Sequence, residues 1–197
     1  MYIVCITGAS GAIYGIRLIE ELKKRTGSPI TLIMSRWGLQ VTINEVDPQY
    51  RRKIMKLIDQ YYIDTELDAE IASGGSKFRA VIIAPCSMKT LSDIAHGRAS
   101  NLITRVVDVA LKEGRKVIIV PRETPLDYTH IRNLLLAKKR GIIIIDAAPA
   151  YYTNPKTVND LVNHIIGKIL DQLEIKHDLY RPWRMMKGHG ADKNEEY

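Results

Sequence analysis

The sequence predicts an α/β protein with a three-layer α/β/α Rossmann-like fold and a mostly parallel sheet in a single domain. Five short apolar runs alternate along the chain with segments of helical periodicity, and strands that are separated by helices pair in parallel. Each run is almost entirely apolar, as a sheet covered by helices on both faces requires. The length of 197 residues is that of one domain.

The first half of the chain is predicted to hold three of the strands. The runs at residues 2–7 and 30–35 are rich in β-branched residues, and Gly8 ends the first of them. Between the two runs, apolar residues recur with the spacing of a helix. The predicted elements, in order, are strand 2–7, helix 11–24, strand 30–35, a mostly helical stretch 37–62 with a turn at Asp47-Pro48, a loop or short irregular strand at 63–78, and strand 79–85.

The second half repeats this alternation and ends in a polar segment. His96-Gly97 separates two helical stretches, and the last helix has a clear amphipathic pattern. We expect one domain over residues 1–185, followed by a polar C-terminal tail at 186–197. The predicted elements are helices 88–96 and 101–113, strand 116–121, a helix near 127–139, strand 141–146, a loop at 147–155 and helix 157–173.

Several classes of protein are excluded by simple features of the sequence. The apolar runs are only a few residues long, whereas a transmembrane helix needs about 20. The N-terminus is typical of a strand rather than of a signal peptide. Cys5 and Cys86 lie in apolar stretches without C-x-x-C spacing, which favours a cytoplasmic protein without disulfides or zinc. The histidines show no metal-ligand spacing, so no metal is expected.

The net charge of +7 has three possible meanings. It is typical of a solvated basic surface, of nucleic-acid binding, or of several cations directed at small phosphorylated ligands. The basic residues are scattered and the chain has a single Phe, whereas nucleic-acid binding favours clustered cations with interleaved aromatic residues. The motifs described next favour small phosphorylated ligands.

Ligands of such folds bind beyond the carboxyl ends of the strands. That rule selects the segments 8–12, 35–36, 85–90, 121–125 and 147–152.

The first of these segments, residues 8–12, is a glycine turn that opens a helix. Glycines let the backbone approach an anion, and the free N–H groups of a helix start attract negative charge. A dinucleotide fold would place Asp or Glu at the end of the second strand, where this chain has Ser35. NAD is therefore disfavoured and FMN remains possible, while the alternative is an ordinary tight turn.

Polar residues follow the third strand, and two cations lie on a later helix. Ser87, Lys89 and Thr90 are placed to bind a phosphate or the polar edge of a ring, although Ser87 is equally typical of a helix N-cap. Arg105 and Lys112 are seven residues apart and can face the same way. The alternative for that pair is two exposed basic side chains.

The last two segments add charged and aromatic residues. Arg122 can bind phosphate through two parallel hydrogen bonds, and Glu123 could transfer protons if burial raises its pKa; a surface ion pair between them is the alternative. The C-terminal part adds a set of aromatic faces with one cation, which consists of Tyr151, Tyr152, Lys168, Tyr180 and Trp183. These aromatic residues could equally form core or subunit contacts.

The chain resembles the flavin prenyltransferases, the family that includes the UbiX and Pad1-like proteins and has the older label aromatic acid decarboxylase subunit. The most specific likeness is the continuous stretch APCSMKTLSDIAHGRASNLITRVVDVALKEGRKVIIVPRETPL, from residue 84 to 126. ITGASGA near the N-terminus, PAYYTNP and GKILDQL match as well.

The resemblance implies a metal-independent transferase that moves a dimethylallyl group from dimethylallyl phosphate to N5 and C6 of reduced FMN. The product, prenylated FMN, is the precursor of the cofactor of UbiD-type decarboxylases. Family members are typically dodecamers, so a homo-oligomer is expected. Whether the donor is the monophosphate or the diphosphate stays open.

The resemblance also implies roles for individual residues. Many relatives have Arg where this chain has Lys168. Lysine keeps the positive charge but lacks the planar guanidinium with which Arg binds a phosphate through two hydrogen bonds. The implied FMN-binding residues are Gly8, Ala9, Ser10, Ser35, Ser87, Met88, Lys89, Thr90 and Arg122. The implied catalytic residues are Glu123, Lys112 and Arg105, and the implied substrate-binding residues are Tyr152, Lys168 and Trp183.

Two alternatives are kept beside this hypothesis. The FMN-dependent cysteine-peptide decarboxylases share the flavin-binding architecture, but they depend on a Pro-x-Met-Asn motif, and this chain has Pro-Cys-Ser-Met-Lys-Thr after the third strand. The other alternative is a non-catalytic flavin carrier.

Overall fold

A sheet of six parallel strands organises the first part of the chain, with the strand order β3-β2-β1-β4-β5-β6. The computed structural model describes residues 1–183. The described residues form two compact units, Met1–Ala147 and a second unit that begins at Ala148, and the whole sheet belongs to the first. The strands are β1 (Tyr2–Ile6), β2 (Ile30–Met34), β3 (Gln60–Ile63), β4 (Ala80–Cys86), β5 (Lys116–Pro121) and β6 (Ile143–Ile144).

Six helices connect these strands, and a 3₁₀ turn (Glu70–Ala72) precedes β4. The connection β1 to β2 runs toward one edge of the sheet, and the connection β4 to β5 runs toward the other. Because such crossovers are right-handed, the two connections cover opposite faces. The helices of the first unit are α1 (Ala12–Thr26), α2 (Arg36–Glu45), α3 (Pro48–Met55), α4 (Met88–Ala95), α5 (Leu102–Lys112) and α6 (Tyr128–Lys139).

The central strands β1, β2 and β4 are buried along their whole length. Alternate residues of a strand face opposite sides of a sheet. Ile3 and Cys5 accordingly join the core cluster that contains the apolar face of α5, including Val106. The next residue along β1, Ile6, faces α1 instead, where its side chain lies against Gly15. Both faces of the sheet are therefore apolar, which explains the uninterrupted apolar runs in the sequence.

The prediction of a Rossmann-like α/β fold is confirmed, and the sheet is entirely parallel. The expected helix over 37–62 is partly wrong, because residues 60–63 form the edge strand β3. Tyr61 and Ile63 are 40% and 44% exposed, so β3 lacks the apolar character of a covered strand. β6 is shorter than the predicted strand 141–146 and pairs only Ile143 and Ile144 with β5.

The second unit contains α7 (Val158–Gln172) and the segments around it. Thr157 caps this helix: its hydroxyl accepts from the Asp160 amide at 3.2 Å, and the Asp160 carboxylate accepts from the Thr157 amide at 2.9 Å. The polar tail predicted at 186–197 lies outside the described residues, and the domain boundary at 185 stays a prediction. Over residues 1–183, no helix is long and apolar enough to cross a membrane.

Candidate functional site

A cavity of about 260 Å³ lies at the carboxyl ends of β1, β2 and β4. The strand order reverses here. After β1 the chain continues to β2 and β3 on one side of β1, and then to β4, β5 and β6 on its other side. Such a switch point leaves a crevice between the loops that follow the strands. Five predicted site residues line the cavity: Gly8, Ser35, Ser87, Lys89 and Thr90.

Two helix N-termini, each with a serine cap, contribute to this cavity. Ser35 caps α2 by accepting a hydrogen bond from the Gly38 amide at 3.0 Å. Ser87 caps α4 by accepting from the Thr90 amide at 3.3 Å, and its hydroxyl donates to Thr90 Oγ1 at 3.1 Å. The N-cap role of Ser87 that the sequence left open is therefore confirmed, and its ligand role stays a prediction. Two helix starts that meet at one cavity favour a bound anion.

Close backbone packing explains two glycines at this edge. A Cβ atom on Gly8 would lie 2.6 Å from Trp37 Cβ, and one on Gly38 would lie 2.1 Å from the Ile6 carbonyl oxygen. Any larger residue would push α2 away from the end of β1. The start of α2, including Trp37 in the cavity wall, is held in place by this contact.

The glycine turn (residues 8–12) is occupied in a way that the sequence did not predict. Glu45, the last residue of α2, accepts hydrogen bonds from the amides of Gly11 at 2.7 Å and Ala12 at 3.1 Å. A carboxylate of the chain itself therefore lies at the helix start that was expected to bind a ligand anion. No local motif marks Glu45, because it is 34 residues from Gly11 in the sequence.

Arg122 and Glu123 follow β5 and point in different directions. The Arg122 guanidinium donates to the Ser10 carbonyl at 3.2 Å, which ties it to the glycine turn. The Glu123 carboxylate accepts from the Thr124 amide at 3.0 Å and is exposed. The surface ion pair considered as an alternative is therefore not formed, and the binding of FMN by Arg122 stays a prediction.

The remaining wall of the cavity contains an acidic and an amide side chain. Asn101 donates to Asp64 Oδ2 at 3.0 Å, and its own oxygen accepts from the Thr104 amide at the start of α5 at 2.9 Å. Both residues line the cavity, and neither was predicted. Asp64 directly follows β3, so the rule of strand carboxyl ends would have selected it if that strand had been recognised.

Two other predicted FMN-binding residues are turned toward the protein interior. Ala9 is buried in the glycine turn at 6% exposure. Met88 is the first residue of α4, and its side chain packs against the core cluster.

Arg105 and Lys112 do not line the cavity. Arg105 donates to the Ala72 carbonyl at 3.2 Å, and Lys112 lies 3.7 Å from Glu113 Oε1. The start of α5 reaches the cavity at Asn101, whereas Lys112 is the last residue of the helix, roughly 16 Å away at 1.5 Å per residue. One chain alone therefore does not bring these cations to the cavity.

The predicted residues of the second unit form an aromatic cluster with one cation. The rings of Tyr152 and Trp183 meet edge to face with centroids 5.2 Å apart. Tyr152 also contacts the His164 ring at 6.2 Å. Lys168 donates to the Tyr180 hydroxyl at 2.9 Å. Tyr152 and Trp183 thus touch each other, while Lys168 is held by Tyr180, another member of the same C-terminal set.

His164 should make the stability of the protein depend on pH. It is 5% exposed, and burial, followed by the charge of Lys168, lowers its pKa below 6.5. At a pH below about 6.5, His164 is therefore more readily protonated in the unfolded chain than in the folded chain. The free energy of unfolding should fall as the pH drops below that value. Denaturant titrations at several pH values check this.

The matched variant is His164→Phe, which keeps a ring in the cluster. Its unfolding free energy should lose this pH dependence between about 7 and 5. Glu20 has a pKa of about 2, because burial, which raises it, is outweighed by hydrogen bonds from Lys53, Tyr50 and Arg17. Protonation of Glu20 therefore affects the unfolding free energy only at a lower pH. An unchanged pH profile in His164→Phe would contradict the assignment.

The fold and the hydroxyl-lined crevice define a class, the flavoproteins. A family model described as Flavoprotein matches residues 1–170. The flavin prenyltransferase UbiX of Methanocaldococcus jannaschii is 46% identical over 181 residues, covering 92% of this chain and 97% of that protein. The chain therefore belongs to the UbiX family of flavin prenyltransferases, as the sequence motifs predicted.

Two solved structures show the same fold in related proteins. The dodecameric FMN-dependent UbiX-like decarboxylase from Escherichia coli O157:H7 is 36% identical, with a TM-score of 0.86 over 93% of this chain and 99% of that one. AnUbiX (PadA1), in complex with FMN and dimethylallyl pyrophosphate, is 34% identical, with a TM-score of 0.86 over 92% of this chain and 96% of that one.

Proposed function

We propose that this protein transfers a dimethylallyl group from dimethylallyl phosphate to N5 and C6 of reduced FMN. The observation that carries the proposal is the cavity at the switch point, whose Ser35, Ser87 and Thr90 hydroxyls lie at two helix N-termini, in a chain of the UbiX family. A relative in this family has been crystallised with FMN and dimethylallyl pyrophosphate together.

The residues of the cavity fit the phosphate end of FMN. The capping hydroxyls and free amides of α2 and α4 are donors, and helix starts favour a dianionic group. Lys89 adds a cation at the rim, where its side chain is 79% exposed. Since Glu45 already accepts from the amides of the glycine turn, we place the phosphate at the serine caps and the ring beside Gly8.

The reaction makes two bonds to the flavin and breaks one in the donor. The allylic C–O bond breaks and the oxygen leaves with the phosphate, while C–N5 and C–C6 bonds form and close a fourth ring. N5 and C6 each lose a proton; one proton is gained by the alkene carbon and the other leaves with the phosphate. Glu123 moves protons in this scheme, and cations stabilise the departing phosphate.

The cations for the donor come in part from a neighbouring subunit in this proposal. Lys112 and Arg105 lie away from the cavity of their own chain, at the helix face near Ala72 and Gly74. Lys112 is 61% exposed and its ion pair is with the adjacent Glu113, so its ammonium is accessible to another copy. A homo-oligomer, such as the dodecamer described for the Escherichia coli relative, would bring it to a second cavity.

Anaerobic incubation with reduced FMN and dimethylallyl phosphate tests the function directly. The expected product is a flavin heavier by one five-carbon unit, detected by mass spectrometry, with release of one phosphate for each flavin converted. Binding of FMN without conversion would indicate a flavin carrier instead. Loss of carbon dioxide from a peptide with a C-terminal cysteine would indicate a cysteine-peptide decarboxylase.

Lys112→Ala should impair use of the donor more than binding of FMN. Loss of one charge-assisted hydrogen bond to phosphate costs about 1.5–3 kcal/mol, which corresponds to a rise of roughly 10- to 100-fold in KM for dimethylallyl phosphate. Lys168→Ala should behave in the same way. Steady-state kinetics and FMN titration measure the two effects, with the exposed Lys24 of α1, changed to Ala, as the control. Equal losses of both activities would refute this division.

Three further points belong to the proposal. We infer from the family resemblance that the product is delivered to a UbiD-type decarboxylase. We also propose a cytoplasmic location, which the free and buried thiols of Cys5 and Cys86 support. A flavin-binding domain ending near residue 185 completes the proposal.

A further inference from the structure

A chain of polar contacts crosses the last turns of α7 in the second unit. Lys168 Nζ donates to the Tyr180 hydroxyl at 2.9 Å. That hydroxyl donates in turn to Asp171 Oδ2. His177 Nε2 lies 3.0 Å from the other carboxylate oxygen of Asp171. Lys168 Nζ also lies 4.0 Å from Asp171 Oδ2, so Lys168, Tyr180 and His177 converge on a single carboxylate.

The Tyr180 hydroxyl has a fixed direction in this network. Its proton points to Asp171, so its oxygen lone pairs are left to accept from Lys168. Burial, followed by the hydrogen bond to Asp171, raises the pKa of Tyr180, so the hydroxyl stays protonated and keeps this polarity. The Lys168 ammonium also lies 4.6 Å from the centre of the Tyr180 ring, a favourable distance for a cation over an aromatic face.

A glycine on α7 makes room for the tyrosine. A Cβ atom on Gly167 would lie 2.5 Å from Tyr180 Cδ1 and 2.9 Å from His177 Cε1. The Tyr180 ring therefore lies directly on the helix backbone beside Lys168. This placement fixes the ring independently of its hydroxyl, so removal of the hydroxyl alone leaves the packing unchanged.

We propose that Tyr180 is a positioning residue, which holds the Lys168 ammonium ready for the phosphate of the prenyl donor. The inference rests on the proposed function. A lysine has a flexible stem and no planar fork, so it gains from an external hold. Its ammonium has three N–H donors; Tyr180 takes one, and the others remain for phosphate oxygens. The Lys168 side chain is 44% exposed, so a ligand can reach it.

The Tyr180→Phe variant tests this proposal. One hydrogen bond contributes about 0.5–1.5 kcal/mol, so KM for dimethylallyl phosphate should rise roughly 2- to 10-fold. The value of kcat should stay within about twofold, and the Kd for FMN should not change. The matched control is Tyr61→Phe, which likewise removes a tyrosine hydroxyl, but from the edge strand β3. It should leave all three values unchanged.

A double-variant cycle distinguishes positioning from a purely structural role. In a Lys168→Met background, Tyr180→Phe should cause no further rise in KM, because the ammonium that it positions is gone. An undiminished effect in that background, or an unchanged KM in the single variant, would overturn the proposal.

If the proposed function is wrong, the wild-type protein will form no prenylated flavin. Calorimetric titration of dimethylallyl phosphate then still compares wild type with Tyr180→Phe. Weaker binding to the variant supports the positioning role, while equal binding, or no binding to either protein, overturns it.

Discussion

Glu123→Gln should retain FMN and lose most of its ability to form prenylated flavin. Glutamine matches the carboxylate in size but cannot exchange a proton, and a general acid or base contributes roughly 10²- to 10⁴-fold to a rate. This role is part of the proposed function; Glu123 is exposed in the loop after β5, where a ligand can reach it. The guanidinium of its neighbour Arg122 donates to the Ser10 carbonyl and does not form an ion pair with the Glu123 carboxylate.

Mass spectrometry of the extracted flavin, together with an FMN titration, measures both parts of this expectation. Glu70→Gln, at an exposed position of the 3₁₀ turn, is the matched control and should form product at the wild-type rate. A normal product yield from Glu123→Gln would show that the proton is moved by another group.

Gly38→Ala should destabilise the protein and abolish binding of FMN. The added Cβ would meet the Ile6 carbonyl oxygen at 2.1 Å, and a backbone oxygen of the central strand cannot move aside cheaply. Overpacking of this kind costs about 1–3 kcal/mol, and more where the backbone must shift. Displacement of α2 would also move Ser35 and Trp37, which line the cavity.

Denaturant unfolding and FMN titration measure these two losses. The control is Gly75→Ala, since a Cβ at Gly75 would approach only the Ser73 hydroxyl, at 3.8 Å. That change should stay within about 0.5 kcal/mol of wild type. Wild-type stability in Gly38→Ala would mean that α2 can move without cost.

The sequence predicted the parts of the fold that depend on burial. β1, β2 and β4 are covered on both faces, so nearly every residue is apolar and the pattern was clear. β3 was missed because it is an edge strand with exposed residues, and pairing with β2 decides its conformation rather than local preference. Such tertiary control cannot be seen in a window of neighbouring residues.

The site was predictable where its residues follow strands directly. Ser35 and Ser87 were selected by that rule, and both line the cavity. Glu45 was missed because its partner amides lie 33 and 34 residues earlier in the sequence. Lys112 was selected by its spacing from Arg105 and by the resemblance, yet it lies at the far end of α5, because a sequence motif does not say which elements the fold brings together.

The anchoring of α2 at both ends affects the thermodynamics of ligand binding. Ser35 and Gly38 fix its start against β1, and Glu45 fixes its end to the amides of Gly11 and Ala12. The loop backbone on this side is thus ordered before any ligand arrives. A flavin entering here would lose its own freedom but would cause little further loss of conformational entropy in the chain, so more of the contact energy is available as affinity.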